Sequence, residues 1–270
     1  MINRINKKWN KQYLLIGCII QARVNSTRFP KKILQNLDKE DRVLEYVINQ
    51  VKNSKKINQI IIATTSLKDD DIVIDISEKN GCNVFRGSED DVWDRYFQCA
   101  RKFELDVIVR VTSDCPLIDP QIIDQVIEEF ESGNFDYVTN TFPRTFPKGL
   151  DVEIFSRETL DKMWKNAELP SEREHVTQFI FNNNEFRIGN VKNDVDLSDM
   201  RWTLDEKEDL EFLISIIKRN KNKPILKDEV LEILSREPSL QKVNSDIDPD
   251  QGIKTSKKKD IDFLKRKHGK

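Results

Sequence analysis

Short apolar runs alternate with amphipathic stretches through the first half of the chain. Residues 14–20 form a continuous apolar run of strand length, and Val43, Leu44, Val47, Ile48 and Val51 recur at helical spacing over 43–51. The same rhythm predicts a strand at 57–63, a helix at 70–79 opened by acidic residues, a short strand at 83–85 and a helix at 92–103. A strand at 106–111, a helix at 120–131 and a strand at 136–139 follow. This β-α-β-α order predicts an α/β domain with a mostly parallel central sheet and helices on both faces. Ligands bind such sheets beyond the carboxyl ends of the strands.

The second half is less regular. Residues 142–149 (FPRTFPKG) read as loop, 151–155 alternate like an edge or antiparallel strand, and 157–167, 174–181 and 207–219 carry helical patterns. A short strand is expected at 201–204. From Lys242 the sequence turns polar and lysine-rich with no strong apolar face. The expected organisation is a polar leader at 1–13, one domain over 14–240 and a lysine-rich tail over 241–270, read as solvated and partly disordered.

Composition narrows the function classes. With 45 Lys+Arg against 47 Asp+Glu in 270 residues the net charge is −2, too balanced for a whole-chain nucleic-acid binder. The apolar run at 14–20 follows Arg4, Lys7, Lys8 and Lys11, but it is too short for a membrane span and has no A-x-A cleavage site. Cys18, Cys82, Cys99 and Cys115 form no C-x-x-C pair, and with only His175 and His268 beside them they argue against a Cys/His zinc site. A reducing, cytoplasmic setting without membrane attachment is expected. The eight glycines make up about 3% against a usual value of roughly 7%. Neither G-x-x-x-x-G-K-[ST] nor G-x-G-x-x-G occurs, so cationic side chains would have to hold any phosphates.

Three segments could carry chemistry. QARVNSTRFPKK (21–32) follows the first strand and offers Arg23, Arg28, Lys31 and Lys32 with Ser26 and Thr27, a set suited to a polyphosphate. A solvated basic loop is the plainer alternative. In RVTSDCPLIDP (110–120) Asp114 stands at a strand's carboxyl end, where it could hold a divalent cation or merely cap a turn. Asp119 before Pro120 reads as a helix cap. RWTLDEKEDLEFL (201–213) repeats the arrangement with Asp205, which is equally an ordinary N-cap. Together Asp114 and Asp205 form a candidate two-carboxylate Mg²⁺ site beside substrate phosphates.

These pieces, in this order, resemble the cytidylyltransferase family that makes CMP-activated sugars. The likeness is greatest to its spore-coat polysaccharide branch, with CMP-Kdo and CMP-sialate synthetases more distant. It spans about 16–213 and includes IIQARVNSTRFPKKIL, IIIATTS, NVFRGSEDDVWDRY, VRVTSDCPLIDP, KGLDVEIFS, SEREHVTQFI and RWTLDEKEDLEFL. The resemblance implies a single Rossmann-like nucleotide-diphospho-sugar transferase fold. It also implies CTP and a small-molecule acceptor as substrates, Mg²⁺ or Mn²⁺ as cofactor, and a homodimer. It puts Arg23, Ser26, Arg28 and Lys32 on the triphosphate, Ala22 and Asp114 among the nucleotide-binding residues, Ala63 and Thr64 on the pyrimidine, and Arg86 and Ser88 near the nucleoside. Asp114 and Asp205 become the metal ligands, with Asp114, Arg23, Arg28 and Lys32 as the catalytic set. Asp151, Glu153, Glu174 and His175 fall toward the acceptor, although His175 could equally be a structural histidine. The family usually has Gly where this chain has Lys31.

Two other classes compete. A glycosyltransferase of related fold would use a DxD-type metal motif, for which Asp69-Asp70-Asp71 is a candidate. A non-catalytic nucleotide-binding subunit would keep the fold without turnover. The tail carries Lys254, Lys257, Lys258, Lys259, Lys265, Arg266, Lys267 and Lys270 against Asp260 and Asp262. Its sharper alternative is a segment that folds over the acceptor site or reaches an anionic partner.

Overall fold

Alternate residues of single strands enter two different cores, and this sets which helices lie on which face. In the computed structural model, which describes residues 14–26, 28–175, 178–220, 222–248 and 251–268, β1 (Ile16–Gln21) sends Ile16, Cys18 and Ile20 into one core and Ile19 into the other. The expected leader at 1–13 lies outside the described residues.

The elements follow the predicted rhythm. After β1 come α1 (Val43–Val51), β2 (Gln59–Thr65), α2 (Asp71–Lys79), β3 (Asn83–Gly87) and α3 (Val92–Lys102). Then follow β4 (Val107–Thr112), α4 (Pro120–Ser132), β5 (Tyr137–Thr139), β6 (Glu153–Ser156), α5 (Arg157–Asn166), α6 (Pro170–His175) and α7 (Gln178–Phe181). β7 (Ile188–Asn190), α8 (Lys207–Arg219), α9 (Lys227–Arg236) and α10 (Gln251–His268) complete the order. Residues of α1, α2, α4, α8 and α9 build the first core and residues of α3, α5 and α7 the second. Asp119 caps α4 as expected, its carboxylate accepting from Gln121 N at 2.7 Å with Pro120 at the first helical position.

The seven strands lie in the order β3-β2-β1-β4-β6-β5-β7. β3, β2, β1 and β4 are parallel, β6 is antiparallel to β4 and β5, and β7 is parallel to β5. The order reverses between β1 and β4, and a crevice opens beyond the carboxyl ends of strands at such a point. The loops after β1 and β4 meet there.

Several expectations change. Of the two readings of residues 151–155, the antiparallel strand holds and the edge does not: β6 lies inside the sheet, antiparallel to both neighbours, with all four of its residues buried. Residues 201–204 form no strand but a single bridge from Lys148 to Arg201, because their next donors turn to the loop after β4. Where a helix is expected at 174–181, the described residues are helical over 170–175 and 178–181, so the helical structure begins before Glu174 rather than at it. β7 and α9 were not foreseen, and the segment read as a solvated tail contains α10, docked on α6. No described helix is long and apolar enough to cross a membrane.

Candidate active site

The loop after β1 is held from beneath by a buried aspartate. Asp70 accepts from Val24 N at 2.7 Å and from the Thr65 hydroxyl, while Lys31 N donates to Val24 O at 3.0 Å. Lys31 closes the turn in the left-handed region at φ 60°, the conformation that favours glycine, and this explains the resemblance's expectation of Gly there. The candidate DxD triplet is thus divided: Asp70 carries the loop and Asp71 pairs with Arg86 at 2.7 Å.

Beyond this turn Lys32 becomes the centre of the site. Its Nζ lies 2.6 Å from Asp114 Oδ2, 2.8 Å from Asp205 Oδ1 and 2.9 Å from Leu204 O, so all three N–H bonds are used. Burial pulls its pKa down, but Asp114 and Asp205 outweigh that and hold the ammonium above its ordinary value. Burial likewise pushes Asp114 up, yet the charge and hydrogen bond of Lys32, helped by Thr112, hold it at about 2. Arg28 adds a second cation, 2.6 Å from Asp205 Oδ1.

Asp205 is free to serve this cluster because another residue caps α8. Asp209, wholly buried, accepts from Asp205 N at 2.8 Å and Glu206 N at 2.9 Å, and Glu206 is the N-cap. Arg201 bridges the two, with Nε 2.8 Å from Asp209 Oδ1 and a terminal nitrogen 3.1 Å from Asp205 Oδ2. Asn244 donates to Asp209 Oδ1 at 2.8 Å. Leu204 N donates to Asp114 O at 2.8 Å, fastening this segment to the loop after β4.

The other support is Gly149. Trp202 N donates to Lys148 O at 2.6 Å, and a Cβ on Gly149 would stand 2.6 Å from Trp202 C at φ +112°. Only glycine allows 148–149 to lie this close to 202–203. Asp151 is held by Arg144 through two bonds of 2.5 and 2.7 Å, which keep its carboxyl below its ordinary range against the effect of burial.

The remaining predicted residues fall into two groups. Ala63 O accepts from Ala22 N at 3.1 Å, and the Thr64 hydroxyl is buried without a partner among the described residues. Arg86 reaches back to Thr65 O and Leu67 O, and Ser88 Oγ accepts from Asp91 N. Arg23 is exposed and Ser26 half-buried in the loop, while Thr27 lies outside the described residues. On the face covered by α3 and α5, Glu153 pairs with Arg110 and accepts from Tyr137 Oη at 2.6 Å, and Arg110 also donates to Gln21 Oε1. Glu174 and His175 sit at the end of α6 and engage Ser256 of α10.

Thus Arg28, Lys32, Asp114 and Asp205 come together, and Arg201, Asp209, Asn244, Arg144 and Arg110 join the surroundings without having been foreseen. Asp209 carried a signal, the fourth residue of an acidic helix start, but one satisfied by an ordinary cap. Two surface clefts of about 380 Å³ each lie elsewhere and are lined by none of the cluster residues.

The donor set suits a hard divalent cation. Two carboxylates within reach of one ammonium offer only oxygen, and among the described residues no group of three or more His, Cys, Asp or Glu converges. A cation held by Asp114 and Asp205 would draw its other ligands from water and substrate, the habit of Mg²⁺.

A cationic loop closing on two carboxylates at the switch point of an α/β sheet defines a nucleotidyltransferase. The sequence model of the cytidylyltransferase family matches residues 17–239. An uncharacterized protein of Methanocaldococcus jannaschii, MJ1063, is 36% identical over 237 residues, covering 86% of this chain and 95% of its own. The spore coat polysaccharide biosynthesis protein SpsF of Bacillus subtilis is 31% identical over 231 residues, 82% of this chain and 94% of its own. The solved structure of a cytidylyltransferase from Leptospira borgpetersenii superposes with a TM-score of 0.81 at 36% identity, covering 85% of this chain and 97% of that one. The chain belongs to the cytidylyltransferase family.

Proposed function

We propose that this protein transfers the cytidylyl group of CTP to a hydroxyl-bearing acceptor, a sugar acid or related cell-surface polysaccharide precursor, with release of pyrophosphate. The observation that carries the reading is the convergence of Lys32 and Arg28 with Asp114 and Asp205 at the sheet's switch point. Family membership supplies the nucleotide.

An acceptor oxygen attacks the α-phosphorus in line and pyrophosphate leaves. Such a displacement needs positioning and charge neutralisation rather than a covalent enzyme intermediate. Arg23, Arg28 and Lys32 offset the charge that grows on the leaving group. Ala22 and Ser26 line the triphosphate path, and Ala63, Thr64, Arg86 and Ser88 border the nucleoside. Asp114 and Asp205 would hold Mg²⁺ or Mn²⁺, which when bound would supply neutralisation of the phosphate charge. Asp151, Glu153, Glu174 and His175 border the acceptor. Cys115 is buried beside Asp114, and burial together with that carboxylate pushes its thiol up, so it stays protonated and takes no part.

Pyrophosphate release from CTP, measured across a panel of acceptors and followed by mass spectrometry of the CMP adduct, tests the reading. Asp114→Ala is expected to abolish release while leaving the fold intact, and near-normal turnover by that variant would overturn the metal site. Hydrolysis of a UDP-sugar without pyrophosphate from CTP would favour a glycosyltransferase. Light scattering tests the homodimer.

A further inference from the structure

Past residue 239, where the match to the family ends, the chain comes back to the site. A single 3₁₀ turn at Pro238–Lys242 buries Leu240 in the first core, and the segment leaving it places Asn244 against α8 with 3% of its surface exposed. The Asn244 amide nitrogen donates twice, to Arg201 O at 3.0 Å and to Asp209 Oδ1 at 2.8 Å, contacts that span 43 and 35 positions of sequence. One side chain therefore fastens the backbone of Arg201 to the carboxylate on which the Arg201 guanidinium is seated.

That seat fixes the orientation of Asp205. Arg201 grips Asp209 as a fork, Nε to Oδ1 at 2.8 Å and Nη2 to Oδ2 at 2.9 Å, and the same Nη2 lies 3.1 Å from Asp205 Oδ2. An aspartate carboxylate turns readily about its last torsion. With Oδ2 taken by Arg201, Asp205 turns Oδ1 to Lys32 at 2.8 Å and Arg28 at 2.6 Å, on the side where Lys32 also holds Asp114. The fork does not hold itself in place: Arg201 Nη1 is buried without a partner among the described residues, so the guanidinium would gain a hydrogen bond by turning to a new acceptor. Asn244 opposes that turn, because its amide holds both the Arg201 carbonyl and the Asp209 oxygen that receives Nε.

We propose that Asn244 is a positioning residue of the transfer site: acting through Asp209 and Arg201, it holds the Asp205 carboxylate with Oδ1 presented to the divalent cation, so that the segment past 239 completes the metal site. Outer partners of metal-ligating carboxylates act in this way, orienting the ligand without touching the ion or the substrate. The role given to Asp205 rests on the cytidylyl-transfer reading, whereas its coupling to Asn244 does not.

Two variants of the full-length chain test this. Asn244→Ala removes the side chain, and Asn244→Asp keeps its shape and loses the donor. Mn²⁺ binding to the nucleotide-free protein, followed by EPR, should weaken about tenfold in both, with Asp114→Ala marking which bound ion belongs to the site. In pyrophosphate release the Mg²⁺ concentration for half-maximal rate should rise by a similar factor, while the maximal rate and the CTP KM at saturating Mg²⁺ stay near wild-type values. A loss of stability in urea with both metal readings unchanged would show a purely structural side chain and overturn the proposal. So would a shift in Asn244→Ala alone, which traces the effect to lost volume, or a wild-type protein without Mn²⁺ binding that Asp114→Ala removes. An Asn244-dependent Mn²⁺ site in a protein that releases no pyrophosphate from CTP would remove cytidylyl transfer and leave the positioning role standing. Pyrophosphate release with metal dependence unchanged in both variants would do the reverse.

Discussion

Lys32 Nζ lies 2.6 Å from Asp114 Oδ2, a contact between residues 82 positions apart that puts an ammonium where two carboxylates converge. Before any substrate arrives, this lysine neutralises carboxylates that would otherwise repel. Its replacement by Met should lower stability by about 2 kcal/mol, read by urea unfolding, because a half-buried charge is left without its partner. The variant should also be stabilised more by Mg²⁺ alone than the wild type, since the cation no longer competes with the ammonium. Turnover should fall by about 10²-fold or more with the loss of a phosphate-binding charge. An unchanged unfolding midpoint would contradict this account of the cluster.

Asp114 gives the acid limb of stability its sign. Its pKa is held at about 2 in the folded chain against about 3.9 when unfolded. The unfolded state therefore binds the proton first as pH falls. The contribution, about 2 kcal/mol, is complete above about pH 4 and is lost as pH falls through about 2. Unfolding free energies measured between pH 5 and 2 should decline more steeply for the wild type than for Lys32→Met, in which the depression is largely gone. Equal slopes would mean that Lys32 is not the cause.

Lys31 has φ 60°, where a side chain costs about 1 kcal/mol relative to glycine. Part of that is offset by the greater freedom of glycine in the unfolded chain. Lys31→Gly should therefore raise the thermal midpoint by about 2 °C. A fall in Tm would show that the Lys31 side chain contributes more than the backbone strain costs.

Gly149 has the opposite prognosis. A methyl group there meets the Trp202 carbonyl carbon at 2.6 Å and the Thr203 nitrogen at 2.7 Å, both backbone atoms that cannot turn aside. Gly149→Ala should cost about 2–4 kcal/mol through overpacking and strain. It should also reduce turnover by displacing Asp205, which follows directly from the 202–203 segment. Thermal scans and pyrophosphate release measure the two effects, and wild-type values in both would rule out the close approach.

Much of the fold is local and could be read directly. Val43–Val51 and Lys207–Arg219 have the predicted bounds because their apolar residues recur every three or four positions and face a continuous core. The strands of the parallel sheet end within two residues of their predicted limits for the same reason. β7 was invisible, since three residues carry no period and its pairing with β5 is wholly non-local. α9 did carry a pattern, with Val230, Ile233 and Leu234 buried at helical spacing, within a segment dominated by charge.

For the site, the chain alone determined the residue types and their succession: a cationic loop after the first strand, then an aspartate after the fourth, then another before a long helix. Those are statements about neighbours in sequence, where turn chemistry and helix dipoles operate. It left Asp205 divided between cap and ligand, because either role is satisfied by the same local pattern. Tertiary structure decided that division by giving the capping bonds to Asp209 and the Asp205 carboxylate to Lys32, Arg28 and Arg201. It likewise brought Ser256 to His175 across 81 positions of sequence. Contacts of that kind depend on which elements pack together, and no period or propensity within either segment encodes them.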